Sequence, residues 1–147
     1  MGEGIVRTAV RAFRAEIGQI DRLYVFVKEA LRDAGVPGKY LPVMEIASDE
    51  IFSNIANHAY GDDPARYADD AVVVELSVND KAIELTFSDR AKAFDPLSVP
   101  TPDIDKGADR DPGGLGVYLA RSVVDDMKYS RSGGRNVLTL IKLTGDA

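Results

Sequence analysis

Residues 71–78 (Ala-Val-Val-Val-Glu-Leu-Ser-Val) and 82–88 (Ala-Ile-Glu-Leu-Thr-Phe-Ser) read as two strands joined only by Asn79-Asp80-Lys81. So short a link cannot carry a crossover, so the strands must pair side by side and antiparallel. Near the C-terminus, 128–132 and 136–143 repeat the arrangement through Ser132-Gly133-Gly134-Arg135. A chain built on two such hairpins needs apolar cover on one sheet face only, and its other elements have to supply it.

Those elements are mostly helical. From Glu16 to Ala34 the apolar positions Ile17, Ile20, Leu23, Tyr24, Val27, Ala30 and Leu31 recur at three- and four-residue steps, and Gly35 and Pro37-Gly38 stop the run. A second helix is predicted over 40–59, with Pro42 in its first turn and Gly61-Asp62-Asp63-Pro64 ending it. A third runs from Leu115 to Met127. Ahead of them, residues 5–13 alternate (Ile5, Arg7, Ala9, Arg11, Phe13), suggesting a first strand with a basic outer face. Residues 97–113 hold Pro100, Pro102 and Pro112 among charges and lack apolar periodicity, the pattern of a long loop acting as a lid or binding loop. The order β-α-α-β-β-(loop)-α-β-β predicts a single domain over 1–147: an α+β two-layer sandwich whose mixed, mostly antiparallel sheet carries about three helices on one face.

Charge and composition narrow the function classes. The net charge is −6, from 24 acidic against 18 basic residues of scattered sign, so no basic stripe offers itself to nucleic acid. No apolar run approaches the roughly 18 residues of a membrane span. The segment Met1 to Arg7 lacks a signal-peptide layout, and the expected location is cytoplasmic. The absence of cysteine excludes disulfides, zinc–thiolate sites and a thiol nucleophile. An anionic ligand would have to be held locally, by backbone N–H groups, a metal or a few cations.

Three segments could do that chemistry. In the second helix Glu50 and Asn54 stand four apart, so they share a face about 6 Å apart along the axis. A carboxylate beside a carboxamide can take a proton and hold a Mg²⁺ that keeps most of its water and phosphate ligands; the same pair also fits an ordinary solvated stripe. Asn57 approximately shares that face, while His58, the sole histidine, reads as structural. Next, Asp89 ends an apolar strand and precedes Arg90-Ala91-Lys92-Ala93-Phe94-Asp95-Pro96. Finally, Gly113-Gly114-Leu115-Gly116 opens the third helix, where glycines let backbone N–H groups approach a phosphate.

In this order and spacing the segments resemble the N, G1 and G2 boxes of the GHKL ATPase superfamily, most nearly its bacterial anti-sigma-factor serine kinases. The resemblance covers nearly the whole chain and implies the Bergerat sandwich, with ATP and Mg²⁺ as ligands. It implies Glu50 as base toward a substrate hydroxyl, Asn54 as the Mg²⁺ ligand and Asp89 as acceptor of the adenine amino group. Ala93, Gly114, Leu115, Gly116 and Thr139 would complete the nucleotide site, Thr139 by reaching the Asp89–adenine network, and Asn57 fits either a second polar contact or a solvated helix residue. Arg110, just before the Gly-rich turn, is a candidate cation for the β- or γ-phosphate and fits equally an exposed arginine pairing with Asp109 or Asp111. Asp126 and Tyr129 read as structural. One position departs from the family pattern: Ala91 stands where the superfamily has glycine, and a positive φ there would cost alanine about 1 kcal/mol or more. By the same resemblance, the chain is expected to phosphorylate a STAS-domain anti-anti-sigma protein, to sequester a sigma factor and to pair as a homodimer. The alternative is a non-catalytic, nucleotide-gated protein-binding module of the same fold.

Overall fold

The structure is a computed structural model that describes residues 6–98 and 112–145. Its elements are β1 (Arg7–Phe13), α1 (Ile20–Asp33), α2 (Leu41–Asn54), β2 (Val72–Val78), β3 (Ala82–Asp89), α3 (Pro112–Val123), β4 (Asp126–Ser132) and β5 (Arg135–Leu143). The strands form one five-stranded sheet in the order β1-β2-β3-β5-β4. Every ladder is antiparallel, so the mixed sheet expected from the sequence is antiparallel throughout.

Turn chemistry accounts for the hairpins. The Asn79 carboxamide oxygen accepts from the backbone N–H groups of Lys81 (2.8 Å) and Ala82 (2.9 Å), closing the β2–β3 link. Between β4 and β5, Gly133 (φ 58°) and Gly134 (φ 76°) supply the two left-handed residues of a tight hairpin turn. Helix α1 ends in a Schellman motif: Val36 N–H reaches Leu31 O and Gly35 N–H reaches Arg32 O, both at 3.0 Å. Gly35 provides the positive φ (74°) that closure needs.

The period-2 alternation of the central strands sends Val72, Val74, Leu76, Leu85, Phe87, Leu138 and Leu140 to one face, where all are buried. Phe13 packs edge-on against Phe26 of α1 and Phe52 of α2, with centroids 6.4 and 5.7 Å apart. Helix α2 packs against both α1 and α3. Among the described residues, no helix is long and apolar enough to cross a membrane.

Three expectations shift. The arginines of β1 do not form an outer face. Arg7 and Arg11 pair with Val78 and Val74, which point inward, so the basic residues share the helix side of the sheet. Arg11 lays its guanidinium over the Phe26 ring at 5.6 Å. Next, α3 starts and stops earlier than predicted. Gly113 and Gly114 belong to it, whereas Met127 belongs to β4, where strand alternation turns it inward opposite Leu140. Last, the predicted helix over 40–59 changes register after Asn54 into a π-turn over Ile55–Ala59. Arg66 holds that turn, its guanidinium donating to Ala56 O at 2.8 Å and to Ala15 O at 3.3 Å.

Candidate functional site

The strand period that builds the core also creates a polar exception. At the end of β3, Asp89 occupies an inward-facing position, and its register partner on β5 is Asn136, also inward. Both are nearly fully buried, at 5% and 7% exposure. A cavity of about 350 Å³ opens there, floored by Asp89 and Asn136 and walled by Asn54 and His58 on one side and by Ala93, Phe94 and Tyr129 on the other.

Asn136 organises the corner. Its amide nitrogen donates to Asp89 Oδ1 (2.9 Å), Lys92 O (3.0 Å) and Ala91 O (3.3 Å). Its oxygen accepts from Tyr129 Oη–H (2.6 Å) and Phe94 N–H (3.2 Å). Asp89 Oδ1 also accepts from Ala91 N–H at 3.0 Å. The second carboxylate oxygen, Oδ2, has no hydrogen-bond partner among the described residues. Burial pushes the Asp89 carboxyl above the ordinary aspartate range, against the opposing pull of the Asn136 amide and the Ala91 N–H. An unpaired oxygen on a nearly buried carboxylate beside a cavity suits a ligand that brings an N–H or O–H donor.

Position 91 is unstrained. Among the described residues no non-glycine residue has a positive φ, so alanine sits at the family's glycine place without the backbone cost expected there. Ala91 O accepts from Arg131 at 2.8 Å as well as from Asn136, and the segment is held from both sides.

The helix side is less uniform than its sequence suggests. Asn54 lines the cavity. The π-turn then carries His58 and Ala59 to the wall and leaves Asn57 exposed and outside it. Glu50 is half-buried beside the cavity rather than in its lining, under α3. A Cβ placed on Gly116 would meet Glu50 Oε2 at 3.2 Å, so this glycine allows α3 to close against the carboxylate. Burial first, and then the neighbouring Asp49, raise the Glu50 pKa above the ordinary glutamate value. The backbone of Gly114 and Leu115 lies in the first turn of α3. Arg110 and most of the expected 97–113 loop fall outside the described residues; of its two ends, Leu97–Ser98 close a short 3₁₀ turn and Pro112–Gly113 begin α3.

Thr139 does not reach Asp89. It occupies an odd step of β5, on the sheet face turned away from the helices, where its hydroxyl meets that of Thr86 at 3.1 Å. Asn136, three residues earlier and on the opposite face, makes the contact instead. Tyr129, read from sequence as structural, also belongs to the cavity through its bond to Asn136. Counting back by twos from Leu140 and Leu138 lands on Asn136, so a polar side chain at an inward strand position was the available signal.

The sequence profile of the histidine kinase-like ATPase domain matches residues 13–142. The chain belongs to this family. Among its curated relatives, the serine/threonine-protein kinase BtrW of Bordetella bronchiseptica is 31% identical over 121 residues, spanning 82% of each chain. The serine-protein kinase RsbW of Bacillus cereus (strain G9842) is 29% identical over 100 residues, which is 65% of this chain and 59% of that protein. In fold, the chain resembles the crystal structure of the RsbU and RsbW domains of Rv1364c from Mycobacterium tuberculosis. The TM-score is 0.66 at 17% identity, over 95% of this chain and 33% of that one. Membership of a histidine kinase-like ATPase family implies a nucleotide ligand, and the site fits one. Asp89 Oδ2 is left unpaired beside the cavity, and α3, which begins at Pro112, adds Val117 to the lining. For a metal the described residues offer less: no group of three or more His, Cys, Asp or Glu side chains comes together among them.

Proposed function

We propose that this chain is an ATP-dependent serine protein kinase of the anti-sigma type. It binds ATP in the Asp89 cavity and transfers the γ-phosphoryl group to a serine of a STAS-domain anti-anti-sigma protein, and in its free state it sequesters a sigma factor. It works in the cytoplasm as a homodimer. The observation carrying this reading is the buried Asp89 carboxylate, with one oxygen tied by Asn136 and the other open to the cavity that Asn54 lines. The kinase names of the similar proteins support the reaction class.

Each residue then has a distinct task. Asp89 Oδ2 accepts from the adenine amino group and sets the depth of the base. Asn54 would hold Mg²⁺, which when bound neutralises phosphate charge. The backbone at Gly114, Leu115 and Gly116 meets the phosphates at the positive end of α3, and Ala93 lines the wall beside the base. The substrate serine oxygen forms the new bond to the γ-phosphorus as the bond to ADP breaks, and Glu50 takes the serine proton. A carboxylate made more basic by burial suits that role, because a base works best with its pKa nearer the working pH. Positioning and charge neutralisation supply most of the rate in such transfers.

A non-catalytic binding module would share the cavity but not the chemistry. Its main support was a strained alanine at position 91, and that strain is absent. Incubation with γ-labelled ATP, Mg²⁺ and STAS proteins encoded near this gene separates the two. Label on a serine of the STAS protein is expected; nucleotide binding without transfer to any of them would leave the binding module as the better account.

A further inference from the structure

Phe94 is an anomaly. It lines the cavity yet is 51% exposed, and of the large apolar side chains that stand free in solvent it alone belongs to that wall among the described residues. Its place is not a loose one. Phe94 N–H donates to Asn136 Oδ1 at 3.2 Å, while Lys92 O and Ala91 O accept from the Asn136 amide at 3.0 and 3.3 Å. On its far side, Asp95 Oδ1 accepts from Leu97 N–H at 2.8 Å, turning the chain into the 3₁₀ segment that follows. The main chain at Phe94 is therefore pinned by the same side chain that holds Asp89 Oδ1, at 2.9 Å. One amide holds both the Asp89 acceptor and the main chain that carries the Phe94 ring.

We propose that Phe94 is the stacking platform for the base, closing over the face of a purine whose edge is held by Asp89. The proposal rests on the nucleotide reading of the cavity. A planar, partly apolar ligand with a donor on its edge needs an acceptor in its plane and an apolar surface against its face, and Asn136 bonds both to Asp89 and to the main chain that carries the Phe94 ring. A ring half in water gains by covering itself with a flat ligand, and a base offers a π-face whatever its substituents. Phe94 therefore contributes affinity for the base, and Asp89 contributes the choice among bases. The ring makes no demand on the phosphates, so inorganic triphosphate does not sense it.

The test uses the full chain. Calorimetry with Mg-ADP, Mg-ATP and inorganic triphosphate compares wild type, Phe94→Ala and Phe94→Leu, with thermal melts to show that the exposed position does not disturb folding. We expect Phe94→Ala to weaken both nucleotides about tenfold or more, the effect of losing one base–aromatic stack. Phe94→Leu, which keeps bulk but loses the ring, should fall between, and triphosphate binding should be unchanged. Because the chain contains no tryptophan, Phe94→Trp supplies a single emission reporter. Its fluorescence should change on ADP addition and stay constant with triphosphate. Wild-type nucleotide binding alongside Phe94→Ala affinities within twofold of it would overturn the stacking role. So would emission from the Phe94→Trp variant that ignores ADP. If Phe94→Ala instead keeps nucleotide affinity and loses phosphorylation of a protein substrate, the ring docks protein and the proposal is wrong. Failure of wild type to bind any adenine nucleotide would overturn the reading of the cavity itself, and the wild-type titration shows which of the two has failed.

Discussion

Gly116 is pressed against the carboxylate of Glu50: a methyl group on its Cα would stand 3.2 Å from Oε2 and 3.7 Å from the Glu50 carbonyl oxygen. Its φ is not in the left-handed region, so the reason for glycine here is space rather than backbone conformation. The glycine of the third motif and the glutamate of the first are thus one structural unit, in which α3 sets how deeply the proposed base is buried.

Gly116→Ala should separate catalysis from binding. Alanine favours the helix by about 1 kcal/mol, which offsets part of the crowding cost of about 1–3 kcal/mol, so stability should change little. The displaced carboxylate should lower phosphoryl transfer by about tenfold or more while ATP affinity stays within about threefold. Single-turnover transfer and calorimetry on the same preparation measure both. Equal loss of transfer and of affinity would mean that the added methyl shifts the α3 backbone at the phosphates rather than the Glu50 carboxylate.

Glu50→Gln should retain nucleotide binding and lose ~10²–10⁴ in transfer rate, the usual contribution of a general base. The wild-type rate should depend on pH through Glu50. Burial and Asp49 raise its pKa, so transfer should decline as pH falls through a value above that of an ordinary glutamate. A rate–pH profile flat across that region would remove Glu50 from the proton transfer.

Asp89→Asn should weaken ATP by about 1.5–3 kcal/mol, the worth of a charge-assisted acceptor, and GTP by less. Its effect on stability should have the opposite sign. The folded-state pKa of Asp89 is raised, so the folded chain binds more protons than the unfolded chain between the ordinary aspartate value and the raised one. Wild-type stability therefore falls as pH rises through that window, and the variant escapes this loss. Urea unfolding should show the two proteins most alike at the acid end, with the variant gaining on wild type as pH rises. A constant difference across pH would mean that Asp89 does not titrate in this way.

Asn136→Ala should be costlier than either. It removes the donor to Asp89 and leaves the Lys92 carbonyl, the Phe94 N–H and the Tyr129 hydroxyl without their partner, while the Ala91 carbonyl keeps Arg131. Each buried group left unsatisfied costs about 1–3 kcal/mol. Tyr129→Phe, which deletes one bond to the same amide, should cost about 1 kcal/mol. Chemical denaturation orders the two, and a larger loss from Tyr129→Phe would show that the tyrosine, not the amide, carries the corner.

What the chain determined locally was the hairpins, the amphipathic helices and the spacing of the polar motifs, because turn chemistry and apolar period act over a few residues. The link Asn79-Asp80-Lys81 dictated an antiparallel pair, Gly133-Gly134 dictated another, and Glu50 and Asn54 share a helix before any fold is known. What only the tertiary structure decided was which polar side chains meet. Asn136 reaches Asp89 because β5 pairs with β3 in one particular register, and a step of one residue would send it to the other face, where Thr139 lies. The π-turn after Asn54, which brings His58 rather than Asn57 to the wall, is held in part by Arg66 from outside the helix. The arginines of β1 lie on the helix side of the sheet because of their register with β2, and Arg11 there meets the Phe26 ring while staying exposed at the sheet edge. In each case the deciding contact joins residues distant in sequence, and its geometry comes from packing rather than from any local preference of the chain.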